Sequence, residues 1–251
     1  DAFKSCMNDE KIYGKVVHEY SFKDGIESQK ALCDYQIVSV GCKSSAKLNA
    51  IHDTTNVDHM DIQQKAKLEA LEKCVEDYDI SHVVSYHTTK SKAINFQKHF
   101  NPTNSKWKAF HINSFHSAEE RKETIEEWRK SEYGLLTNCK CLQEGVNLPE
   151  CDSVFFADTK SSAIDVVQSS SRCLTQHSSK GVGFKAKIFI PTFHHEDDSM
   201  LQVRETSPYK ILIQLIKAMR ESDERIEDFL VSLSPRGGGI DPNDPENIIQ
   251  V

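Results

Sequence analysis

No apolar run in this chain approaches the length of a membrane span, and its first residues, DAFKSCMNDE, lack the apolar stretch of a signal peptide. No GxxxxGK[ST] loop, which would cradle phosphates on backbone N–H groups, occurs anywhere; Gly41-Cys42-Lys43-Ser44 resembles only its tail. No Asp-Glu box follows a strand-like run. CxxC pairs are missing as well, so the usual zinc spacing is absent and no metal site is expected. Basic excess is lacking: 31 Lys+Arg against 38 Asp+Glu leave a formal charge of −7. That balance excludes wholesale coating of nucleic acid but leaves room for a local basic face or a path of backbone N–H groups.

What is present points to an ordinary globular core. At 251 residues, with 38% apolar and 27% charged positions, the chain can bury a large domain and carry solvated appendages. A chain of this size needs no disulfide staples. Cys33, Cys42, Cys139, Cys141, Cys151 and Cys173 lie within or beside strand-like and helix-like segments, where cysteine serves as a small buried hydrophobe. Cys139 and Cys141, two apart, would share one face of a strand. A reducing intracellular compartment (cytoplasm, nucleus or virion) is the expected home, with no membrane partner.

From Tyr35 to Pro191 strand-like and helix-like segments alternate. The strands are YQIVSVG (35–41), HVVSY (82–86), KAFHI (108–112), GLLTNC (134–139), SVFFA (153–157) and AKIFIP (186–191). Helical spacing falls on Asp61–Val75, Ser91–Phe100, a segment opened by the capping box Ser117-Ala-Glu-Glu120, and Ala163–Leu174. Such alternation implies crossover connections and an α/β fold with a mostly parallel sheet covered on both faces. Function then belongs to the loops beyond the strands' carboxyl ends: 86–89, 113–116, 137–149 and 158–162. Outside this block, Pro208–Leu233 reads as a helix with Ser207 as cap. His194-His195-Glu-Asp-Asp198 reads as a solvated loop.

Within the block, LLTNCKCLQEGVNLPECDSVFFAD (135–158) is followed closely by DVVQSSSRCLTQ (165–176). The first stretch resembles motif V of superfamily 2 helicases, a strand ending in Thr and then a Gly-x-Asp/Asn-x-Pro turn. The second resembles motif VI, Gln/His-x-x-Gly-Arg-x-x-Arg, with Gln168, Ser171, Arg172 and Thr175 at its four positions. HVVSYHTTKSKA suits motif IV, and FHINSFHSAEER the phosphate-contacting segment after it. The likeness covers roughly residues 30–191. It is nearest the helicases of large DNA viruses and of bacterial restriction and repair systems.

The resemblance implies the second, C-terminal RecA-like domain of an ATP-dependent nucleic-acid helicase. The fold would be three layers, a mostly parallel sheet between helices, with a further C-terminal helix. Residues 1–34 would be the link from an N-terminal RecA-like domain in cis, 35–191 the RecA-like domain, 192–233 a helical extension and 234–251 a flexible tail. ATP with Mg2+ would be held mainly by the N-terminal domain, and the present chain would not hydrolyse ATP unaided. Across the cleft Arg172 is the expected catalytic cation, since positive charge near a γ-phosphate speeds its transfer by about 10³–10⁵. Gln168, Gly145 and Asn147 would contact the nucleotide. Thr137, Ser114 and Thr88 would meet the backbone of DNA or RNA, with His87, Thr89 and Arg121 nearby. Ser171 and Thr175 depart from the motif, because one adds a side chain where glycine stands and the other removes the second arginine. They leave a second expectation, a motor-deficient domain serving as a nucleic-acid-binding or protein-interaction scaffold.

Overall fold

The computed structural model describes residues 21–28, 31–43, 60–139, 141–142, 146–158, 163–194 and 248–250, with positions 12, 14, 15, 17 and 216. In chain order the elements are α1 (Phe22–Glu27), β1 (Asp34–Lys43), α2 (Ile62–Asp77), β2 (His82–Tyr86), α3 (Lys90–His99) and β3 (Trp107–Asn113). They continue with α4 (Ala118–Lys130), β4 (Tyr133–Cys139), β5 (Ser153–Phe155), α5 (Ala163–Leu174), β6 (Lys185–His194) and β7 (Ile248–Gln250).

The strands form one sheet in the order β3-β4-β2-β5-β6-β1-β7. All pairings from β3 to β1 are parallel, and only β7 runs antiparallel, on β1. Residues 248–250, expected in a flexible tail, thus supply an edge strand instead. Three residues without distinctive pattern pair through backbone groups, which a sequence does not advertise.

Neighbouring residues of each strand enter opposite cores, as a pleated backbone requires. Val84, Leu136 and Ile188 join Ile125 and Trp128 of α4 and Val166, Cys173 and Leu174 of α5. Val83, Leu135 and Phe189 join Leu68, Leu71 and Val75 of α2 and Phe96 of α3. The chain is therefore three layers, with α1, α4 and α5 on one face and α2 and α3 on the other. This is the RecA-like α/β architecture the motifs imply. Ile216, from the expected Pro208–Leu233 helix, is helical and buried in the α4/α5 core; the rest of that segment lies outside the described residues.

Local chemistry explains the helix starts. Asp61 accepts from the Gln64 amide at 2.8 Å and Thr89 from the Lys92 amide at 3.3 Å. Ser117 and Glu120 close the expected capping box, with Ser117 N donating to Glu120 Oε2 at 2.6 Å. At β4, Gly134 donates to Ser81 O, and its carbonyl accepts from Trp128 Nε1 at 3.0 Å. A Cβ on Gly134 would lie 2.6 Å from Trp128 Cδ1, so this close approach needs glycine. Asp152 ties β5 to the start of β2: its Oδ2 accepts from Ser81 Oγ at 2.9 Å and from the His82 amide at 3.0 Å.

Candidate functional site

Because β3, β4, β2 and β5 are parallel neighbours, the loops that follow them share one edge of the sheet. Cys139, which ends β4, donates its thiol to Thr88 O at 3.4 Å, and Asp158 N donates to Tyr86 O at 3.2 Å. The edge is built around Asp158. Its carboxylate accepts from Thr88 N at 3.0 Å and Thr88 Oγ1 at 2.9 Å, and pairs with Lys67 of α2 at 3.3 Å and Lys92 of α3 at 3.2 Å. Burial alone would raise its pKa, but the Thr88 hydrogen bonds and the two ammonium groups win and hold it at about 2. Asp158 is therefore a fixed anion that fastens two helices and two loops.

A second network lies between β3 and β4. His111 Nδ1 donates to Thr137 Oγ1 at 2.9 Å, and Thr137 Oγ1 donates to Phe110 O at 3.3 Å. The Asn113 amide then donates to His111 Nε2 at 3.0 Å, while Asn113 Oδ1 accepts from Phe115 N at 2.8 Å. A proton on His111 Nε2 would face that amide. Burial, reinforced by the neighbouring His116, pushes His111 down to about 4. His87 points inward to Ser85 Oγ at 3.0 Å and against the Phe96 ring, and burial pushes it down to about 3.

The turn 146–150 meets α5 through arginines. Arg172 donates Nη1 to the Val146 carbonyl. From α4, Arg129 donates Nη2 to Asn147 O at 2.5 Å and pairs with Glu150 at 3.2 Å and Glu126 at 2.7 Å. On α5, Gln168 is exposed and lies one turn before the half-buried Arg172, so both present to the same side. Ser171 Oγ is turned back onto Gln168 O at 2.9 Å. Thr175 sits at a β-bridge to Leu32, and its carbonyl accepts from the buried Lys180 ammonium at 2.7 Å, as does Cys173 O at 2.8 Å. Lys180 closes the C-terminal end of α5.

The expected site residues fall into three groups. Gln168, Arg172 and the exposed Asn147 come together at the 146–150 turn and α5; Gly145 lies outside the described residues. Ser114 and Thr88 are exposed at the shared edge, although the Thr88 hydroxyl is already given to Asp158. Thr137 is fully buried, with its hydroxyl engaged by His111 and Phe110 O. His87 is likewise buried rather than aligned with Thr88. Sequence reasoning missed Asp158 and Arg129. The first carries a weak signal, as an acid directly after an apolar strand; the second reads as an ordinary cation in a helix's last turn. The described cysteines are free thiols. Burial pushes Cys42 and Cys151 up to about 12 and Cys173 higher, as befits packing groups. Cys141 lies past the end of β4, so it does not share a strand face with Cys139.

Residues 66–175 match the helicase conserved C-terminal domain. The matched segment runs from α2 to the end of α5. Over 100 residues it is 31% identical to probable helicase A859L of African swine fever virus, an alignment covering 40% of this chain and 11% of the relative. The matched chain thus spans about a tenth of the curated relatives' length. Its fold is also that of part of the ATP-dependent Type ISP restriction-modification enzyme LlaBIII bound to DNA. That likeness has a TM-score of 0.71 and 20% identity, and covers 90% of this chain and 16% of the other.

Proposed function

We propose that this chain is the C-terminal half of an ATP-dependent nucleic-acid helicase or translocase, supplying motifs IV to VI. The observation that carries the reading is the junction of the 146–150 turn with α5, where Arg172 holds the Val146 carbonyl and Gln168 and Asn147 stand exposed beside it. These donors fit one side of a nucleotide site: a guanidinium for phosphate, and two amides for polar groups of the nucleoside. Among the described residues no group of three His, Cys, Asp or Glu is placed to hold a metal ion. The reading assigns Mg2+ and most phosphate contacts to an N-terminal RecA-like domain.

ATP, when bound, supplies the free energy for movement through its hydrolysis. Arg172 gives up the Val146 carbonyl to serve phosphate and thereby releases the turn that Arg129 holds from the other side. The turn follows β4, so the exchange reaches the edge where Ser114 and Thr88 face the nucleic-acid backbone. A grip that is equal in both states moves nothing; the exchange makes it unequal. DNA is the first substrate to test, since the restriction enzyme of like fold is bound to DNA.

The test joins the N-terminal domain to this chain and measures ATP turnover stimulated by nucleic acid. Arg172→Ala is expected to lower turnover by about 10³ or more; unchanged turnover removes Arg172 from the reaction. A second reading, a motor-deficient scaffold, is favoured by one observation. Thr175, which replaces the motif's second arginine, is clamped to Leu32, and the nearby Lys180 is spent on carbonyls. Stimulated turnover in the joined protein would exclude it.

A further inference from the structure

At the carboxyl edge of the sheet one large apolar side chain stands in the open. Phe115 is 81% exposed, in the turn directly after β3. Val182, also exposed, precedes β6 and so lies at the opposite edge. Single exposed apolar side chains are ordinary on protein surfaces, so it is the ring's setting that decides its reading. The turn is rigid. Its Phe115 amide is bound by buried Asn113, whose own amide is fixed by His111, and His116 N closes onto Asn113 O at 3.2 Å. The ring is thus presented by a set backbone.

Its surroundings are cationic. The Lys90 ammonium lies over the Phe115 ring. Arg121 stands in the first turn of α4, six residues beyond Phe115. Ser114 and Thr88 adjoin this corner. An aromatic face beside an ammonium group suits a flat, electron-rich ring carried on an anionic chain. An apolar protein partner would want a contiguous apolar patch, and among the described residues of this edge Phe115 is the one large exposed apolar side chain.

We infer that Phe115, with Lys90 over its ring, is a stacking post for a base of single-stranded nucleic acid, Lys90 taking an adjoining phosphate. The inference rests on the nucleic-acid reading above and adds to it a contact with a base rather than with backbone. Because every base has a π-face, the post tolerates any sequence.

Binding is measured by fluorescence anisotropy on the full chain, with an oligo-dT strand and an abasic strand of the same length. Phe115→Ala touches no core residue and is expected to weaken oligo-dT binding about 5- to 100-fold, leaving abasic binding unchanged. Lys90→Ala is expected to weaken both and to lower the salt slope by about 0.7. The two native tryptophans, Trp107 and Trp128, are buried. Phe115→Trp therefore adds an exposed reporter whose emission should fall with oligo-dT and not with the abasic strand. Equal oligo-dT binding by the parent and Phe115→Ala, or no quenching in Phe115→Trp, overturns the stacking post alone. A parent that binds neither strand overturns it together with the nucleic-acid reading.

Discussion

Asp158 shows how much one side chain can organise at a strand end. It takes two hydrogen bonds from Thr88 and two ammonium groups from different helices. Asp158→Asn keeps the shape but removes the charge, and is expected to cost about 2 kcal/mol by urea unfolding. The pH dependence has a definite sign. The carboxyl falls from its ordinary 3.8 to about 2 in the fold, so its contribution is complete above about pH 3.8 and is lost as pH falls toward about 2. Asp158→Asn should lack that loss. That Gln168 and Arg172 share one helix was legible in the sequence, because their spacing is a local property. The hydroxyl of Thr137 was not: that it faces His111 rather than solvent depends on the register of β3 against β4.

Among the elements, strands and helices followed the sequence closely, since period-2 and period-3.6 patterns are set by neighbours in the chain. HVVSY is β2 and Ala163–Leu174 is α5, residue for residue. The contact between α4 and β4 carried no such signal. Gly134 reads as an ordinary strand-opening glycine until Trp128 is seen packed on it, with its indole N–H on the Gly134 carbonyl. Gly134→Ala is expected to destabilise the domain by about 1–3 kcal/mol, because the fully buried Trp128 ring has nowhere to retreat. Thermal unfolding checks this, with Ser131→Ala as a comparison that removes only a hydroxyl near the same site.

For the whole molecule, acid should act well before the carboxylates protonate. His87 and His111 titrate at about 3 and about 4 in the fold, against 6.5 for a free imidazole. Below about pH 6.5 the unfolded chain binds protons that the folded chain refuses, so stability falls as pH drops from about 6.5 toward 4. Melting temperature measured across that range should decline, and His87→Gln with His111→Gln should flatten the decline. By itself the sequence determined the alternation of elements, the α/β class and the placing of Gln168 and Arg172 on one helix, all of which are written in local spacing. Only the tertiary structure decided where those groups point. It gave the Thr88 hydroxyl to Asp158, buried Thr137 and His87, brought Arg129 to the 146–150 turn, and left Phe115 exposed beside Lys90. The reason is that hydrogen-bond satisfaction and burial are settled between segments far apart in the chain, after the sheet has chosen its order.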